Sequence, residues 1–157
     1  MANILILGAG SMGMTFSFPC SDNNHVVFIT GTHLENDFID QINSKKKHPA
    51  LNCDVPKSVK FSKFEKLGEE INKKVDLIVV AVISKGIEWA SIELSKVMKS
   101  NIPILILTKG LAVNNNNYEV LAHKMERLLK KNGIRETNIS AAGGPCLAKG
   151  LANKVHT

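Results

Sequence analysis

Cysteine is scarce in this 157-residue chain. Cys20, Cys53 and Cys146 are odd in number and form no CxxC pair. That pattern argues against a disulfide framework and fits reduced thiols in a cytoplasmic protein. Aromatic residues are sparse as well. One Trp and one Tyr are too few for a protein that reads single-stranded nucleic acid by stacking. Basic residues outnumber acidic ones for a net charge of +6, but the lysines are scattered. The charge suits a small anionic ligand, and no nucleic-acid partner is expected. No apolar run approaches the roughly 20 residues that a membrane span needs. The first apolar run, Asn3-Ile4-Leu5-Ile6-Leu7, lacks a basic flank and is too short for a signal peptide, so it reads as a strand. His25, His48, His123 and His156 show no ligand spacing with cysteines or carboxylates, and no metal site is expected.

What is present is a globular composition, 44% hydrophobic and 22% charged, with short apolar runs alternating with helical periodicity. Strands are predicted at Asn3–Leu7, Val26–Thr30, Val59–Ser62, within 75–83, at 104–108 and at 139–142. The run Leu77-Ile78-Val79-Val80-Ala81-Val82 is apolar almost without alternation, as in a strand covered on both faces. Leu34, Phe38, Ile39 and Ile42 predict a helix over about 34–43. Further helices follow from Phe64, Leu67 and Ile71; from Ile87, Ala90, Leu94 and Val97; and from Tyr118, Leu121, Ala122, Met125 and Leu128. Pro19 predicts a shortened end to the first helix. Residues 44–57, with two prolines and a lysine cluster, read as a solvated loop, and the Asn114-Asn115-Asn116-Asn117 run as a loop tip. The alternation predicts one α/β domain over 1–157, a Rossmann-type doubly wound parallel sheet with helices on both faces. About six strands in the order 3-2-1-4-5-6 are expected.

Gly8-Ala9-Gly10-Ser11-Met12-Gly13 is a G-x-G-x-x-G directly after the first strand. In that position the first glycine permits a tight turn, the second lets a pyrophosphate approach the backbone, and the third lets helix and strand pack closely. Exposed N–H groups and the helix dipole then favour the anion. The second strand ends Thr30-Gly31-Thr32-His33 with no carboxylate. A carboxylate there would bind the ribose hydroxyls of NAD and repel a 2′-phosphate, so both NAD and NADP remain open. Ser84 has no readable His/Asp partners for a serine hydrolase.

Four blocks in this order resemble the NAD(P)-dependent glycerol-3-phosphate dehydrogenase family. They are Gly8-Ala9-Gly10-Ser11-Met12-Gly13; Val80-Ala81-Val82-Ile83-Ser84; Leu107-Thr108-Lys109-Gly110-Leu111; and Gly143-Gly144-Pro145-Cys146-Leu147-Ala148-Lys149. The resemblance spans the chain and corresponds to the family's N-terminal domain. It implies that Gly8, Gly10, Ser11, Met12, Gly13, Thr32, Ser84 and Ala148 line an NAD or NADP site. Lys109 is implied to touch both cofactor and substrate, and Gly144 and Cys146 the substrate. The implied reaction interconverts dihydroxyacetone phosphate and sn-glycerol 3-phosphate by hydride transfer, feeding glycerophospholipid synthesis. The family's proton-transferring lysine lies in a second, mostly helical domain that this chain is expected to lack, so no catalytic residue is assigned here and the chain alone is expected to be inactive. The full-length enzyme is expected to be a homodimer. The alternative is a Rossmann-type module that senses a nucleotide without chemistry.

Overall fold

The computed structural model describes residues 1–99 and 101–155; His156 lies outside them. Six strands form one parallel sheet: β1 (Asn3–Leu7), β2 (Val26–Thr30), β3 (Val59–Ser62), β4 (Leu77–Val80), β5 (Ile104–Ile106) and β6 (Ile139–Ala141). Their spatial order is β3-β2-β1-β4-β5-β6, the predicted doubly wound arrangement. Helices α1 (Ser11–Asp22), α2 (Asn36–Lys45), α3 (Leu67–Ile71), α4 (Ile87–Val97), α5 (Leu121–Lys131) and α6 (Ala148–Ala152) connect or follow the strands.

Strand alternation splits the core in two. Leu5 and Leu7 of β1 point to the face covered by α3, α4 and α5, where they meet Ile78, Val80, Ile87, Leu94 and Met125. Ile4 and Ile6 point to the opposite face, against Met14 and Phe18 of α1 and Ile39 of α2. Burial on both faces accounts for the unbroken apolar character of these strands. Register then sets the site. Leu7 is level with Thr30 on one side and Val80 on the other, and Val80 with Ile106. Four strands therefore end in one row.

Several local expectations need correction. Pro19 does not shorten α1, which continues through it to Asp22. It sits in the last turn, where the Asn23 N–H and side-chain amide both donate to its carbonyl. Helix α2 starts and stops two residues later than its periodicity suggested. Within 44–57 the chain continues α2 to Lys45 and then forms a two-rung antiparallel ribbon, Lys47–His48 against Cys53–Asp54. Tyr118 is not helical. It lies in a hairpin formed by Leu111–Asn114 and Asn117–Val120, whose tip holds Asn115 and Asn116 at positive φ. Asparagine tolerates that conformation, so the Asn run is a loop tip as expected. Among the described residues no helix is long and apolar enough to cross a membrane.

Candidate functional site

The order of the sheet strands reverses between β1 and β4, and the loops leaving the two strands diverge there. In open α/β sheets this is where ligands bind. The glycine turn occupies it. Gly8 has φ +109° and its N–H donates to the Thr30 carbonyl (2.8 Å). A Cβ on Gly8 would come 2.8 Å from the Ala81 carbonyl oxygen, and one on Gly13 would come 2.1 Å from the Gly8 carbonyl oxygen. Both positions are thus closed to larger residues by neighbouring backbone. Gly10 differs. A Cβ there would meet nothing nearer than a Glu35 carboxylate oxygen at 4.0 Å. The second glycine therefore leaves open space in front of α1. That helix has no side-chain N-cap, and its first internal bond is Met14 N–H to the Gly10 carbonyl (3.0 Å). The N–H groups of Ser11, Met12 and Gly13 precede that bond and have no partner within the helix. Space and donors together fit a pyrophosphate.

Two cavities flank the turn and share Gly10 and residues 81–83. One, of about 430 Å³, runs toward β2 and is lined by Gly8, Thr32, Glu35 and Trp89. His33 packs against Trp89 at 4.8 Å between ring centroids, giving this side an aromatic wall. The other, of about 470 Å³, runs toward β5 and is lined by Ser11, Met12, Ser84, Lys109, Cys146 and Ala148. Exposed Ile83 forms the ridge between them. A pair of lobes on either side of a phosphate turn matches the two halves of a dinucleotide.

The structure thus distributes the sequence-derived residues over one cleft. Gly8, Gly10 and Thr32 line the lobe toward β2, and Gly10 also borders the other lobe together with Ser11, Met12, Ser84, Lys109, Cys146 and Ala148. Gly13 lies buried beneath the turn. Gly144 borders neither lobe directly but is tied to Lys109, whose ammonium donates to the Gly144 carbonyl and, at 3.3 Å, to the Cys146 carbonyl. The lysine therefore draws the segment after β6 over the end of β5. The Thr108 hydroxyl donates to the Val82 carbonyl (2.5 Å), locking the loops after β4 and β5 together. Burial pushes the Cys20 thiol up to about 11, so this cysteine is a packing residue of α1.

One expectation is overturned. The end of β2 does have a carboxylate, because Glu35 folds back from the start of α2. Its Oε2 accepts the Thr32 N–H (2.7 Å) and the Ala9 N–H (3.2 Å). The side chain bridges the glycine turn and the end of β2, five residues beyond Thr30 instead of directly after it. His48, expected in a solvated loop, departs from that expectation too. It is fully buried, and its Nε2 contacts the Ala9 carbonyl oxygen at 3.1 Å. Glu35 was detectable as the nearest acid after the strand. Nothing in the sequence linked His48 to a residue 39 positions away.

Comparison with known proteins places the chain in a family. The profile described as "NAD-dependent glycerol-3-phosphate dehydrogenase N-terminus" matches residues 3–157. This chain belongs to that family. It is 27% identical over 154 residues to the NADP(+)-dependent glycerol-3-phosphate dehydrogenase of Archaeoglobus fulgidus, covering 98% of this chain and 44% of the relative. It is 34% identical over 113 residues to glycerol-3-phosphate dehydrogenase [NAD(P)+] of Bacillus pumilus, covering 71% and 31%. The glycerol-3-phosphate dehydrogenase of Coxiella burnetii superposes with a TM-score of 0.79 at 19% identity, over 97% of this chain and 43% of that one, which shows the shared fold. The chain spans less than half the length of these relatives and matches the family's N-terminal part.

Proposed function

We propose that residues 1–157 serve as the dinucleotide-binding domain of an NAD(P)-dependent glycerol-3-phosphate dehydrogenase, acting on dihydroxyacetone phosphate and sn-glycerol 3-phosphate. The observation that carries this reading is the open space at Gly10, set between two glycines that backbone contacts hold fixed, in front of an uncapped helix. The N–H groups of Ser11, Met12 and Gly13 bind the pyrophosphate, with the helix dipole behind them. Thr32 and Glu35 face the adenosine half, while Ser84 and Ala148 border the nicotinamide half. The bound nicotinamide supplies the hydride. Lys109 places a positive charge at the end of β5, where it favours a phosphate substrate and an oxygen that gains charge as the ketone is reduced. Its hold on the Gly144 and Cys146 carbonyls shapes the substrate side of the cleft. The reading includes action in the cytoplasm and, for the full-length enzyme, a homodimer. The three free cysteines support the first, and the family resemblance supports the second.

The proton donor is assigned to the part of the relatives that has no counterpart in these residues. General acid catalysis is worth ~10²–10⁴-fold, and water exclusion and substrate positioning by a second domain add to it. The purified chain should therefore oxidise NADH or NADPH no faster with dihydroxyacetone phosphate than without it. Activity should appear only when the C-terminal half of a relative is supplied in trans. Enzymatic turnover by the chain alone would mean that the acid lies within residues 1–157.

A further inference from the structure

We propose that His48 is a positioning residue for the glycine turn, holding the peptide between Ala9 and Gly10 so that the Gly10 N–H faces the cleft. The inference rests on the reading of 8–13 as a dinucleotide turn. Ala9 is fully buried and is gripped from two sides. Glu35 Oε2 takes its N–H, and His48 Nε2 meets its carbonyl oxygen. The proton on that ring can be assigned from its partners. The Leu51 N–H donates to His48 Nδ1 (3.2 Å), so Nδ1 is an acceptor. In a neutral imidazole the single proton then sits on Nε2 and is donated to Ala9. The ribbon fixes the ring in place: His48 pairs with Cys53, its carbonyl accepts the Asn52 N–H (2.8 Å), and Phe38 of α2 packs against it edge-on at 5.0 Å.

The consequence for the turn follows from peptide geometry. The described peptide bonds are all trans, and a trans unit points its C=O and N–H in opposite directions. Pinning the Ala9 oxygen toward His48 therefore aims the Gly10 N–H away from it, toward the space in front of α1. Burial also holds the ring's basicity below its ordinary value, with the Ala9 hydrogen bond and the Glu35 charge opposing that shift. Cys53 faces the ring across the ribbon, while the neighbouring Lys47–Asp54 pair, 3.9 Å apart, is largely solvent-exposed. A proton added at Nδ1 would confront the Leu51 N–H donor to donor. The ring would then leave its seat, and the Ala9 carbonyl would lose its partner.

Calorimetric titration with NAD⁺ between about pH 5 and 8 tests this on the wild-type chain, His48→Leu and His48→Gln, with thermal unfolding followed in parallel. At the upper pH, His48→Leu should weaken binding about tenfold, the scale of one lost hydrogen bond to a buried acceptor. His48→Gln, which offers an amide N–H at the reach of Nε2, should recover most of that. Because burial lowers the basicity of the ring, wild-type affinity should hold through the ordinary histidine range and fall only toward the acid end of the series, while that of His48→Gln stays flat. A folded His48→Leu variant that binds like wild type would overturn the inference. So would a shared pH profile for wild type and His48→Gln, which decides the matter if the leucine variant does not fold. Failure of the wild-type chain to bind NAD⁺ at any pH would sink the reading of the turn itself.

Discussion

Gly10→Val is expected to give a folded protein that no longer binds a nicotinamide dinucleotide. Gly10 has φ −65° and extended ψ, a conformation open to any L-residue, and its Cβ direction is clear to 4.0 Å. Valine therefore fits the free protein without strain, and the unfolding midpoint should change little. Its methyl groups, however, fill the volume that the pyrophosphate must enter. Hydrogen bonds to a charged group contribute ~1.5–3 kcal/mol each, so losing two of them weakens binding by roughly 100-fold or more. Calorimetry on wild type and variant is the check, and equal affinities would refute the site. The flanking glycines behave differently. A side chain at Gly8 or Gly13 collides with backbone atoms at 2.8 or 2.1 Å, so substitutions there would damage the fold as well as the site.

Glu35→Gln is expected to shift preference from NAD⁺ toward NADP⁺. Two backbone N–H groups fix the Glu35 carboxylate beside the end of β2. A carboxylate in that place accepts from a ribose hydroxyl and repels a 2′-phosphate. Allowing for solvent screening, such a repulsion is worth on the order of 1–2 kcal/mol, or about tenfold in the ratio of NADP⁺ to NAD⁺ affinity. Both N–H groups donate to the same oxygen, so the amide oxygen of glutamine can accept both while the charge is removed. Lys85 lines the same lobe and already offers partial compensation to a phosphate, so the wild type should discriminate without excluding NADP⁺. Dissociation constants for both dinucleotides, measured with wild type and variant, decide it. An unchanged ratio would show that Glu35 does not face the ribose.

The sheet was legible in the sequence because its strands are buried on both faces. Unbroken runs such as Leu77-Ile78-Val79-Val80 have few other places to be, and the glycine turn after β1 fixed where the order had to reverse. The local departures have separate physical causes. Pro19 falls in the last helical turn, where tertiary packing of α1 outweighs the missing N–H. Tyr118 matched a helical period by accident, since the asparagine tip upstream closes a hairpin that ends only at Val120. In the cleft, residues on the strand-end loops were found from the motifs. Glu35 was missed because its side chain folds back across a turn, bringing an acid to the strand end without placing it there in sequence. His48 was missed because its partner is a backbone carbonyl, which leaves no trace in residue types.

Binding of a nicotinamide dinucleotide at the turn after Leu7 is tested most directly by amide-resolved NMR of the labelled chain titrated with NAD⁺. The largest shifts should fall on Gly10, Ser11, Met12 and Gly13, with a second group at Thr32, Glu35 and Ser84 marking the two lobes. Shifts concentrated elsewhere, or none at saturating NAD⁺, would contradict the assignment of this cleft as the dinucleotide site.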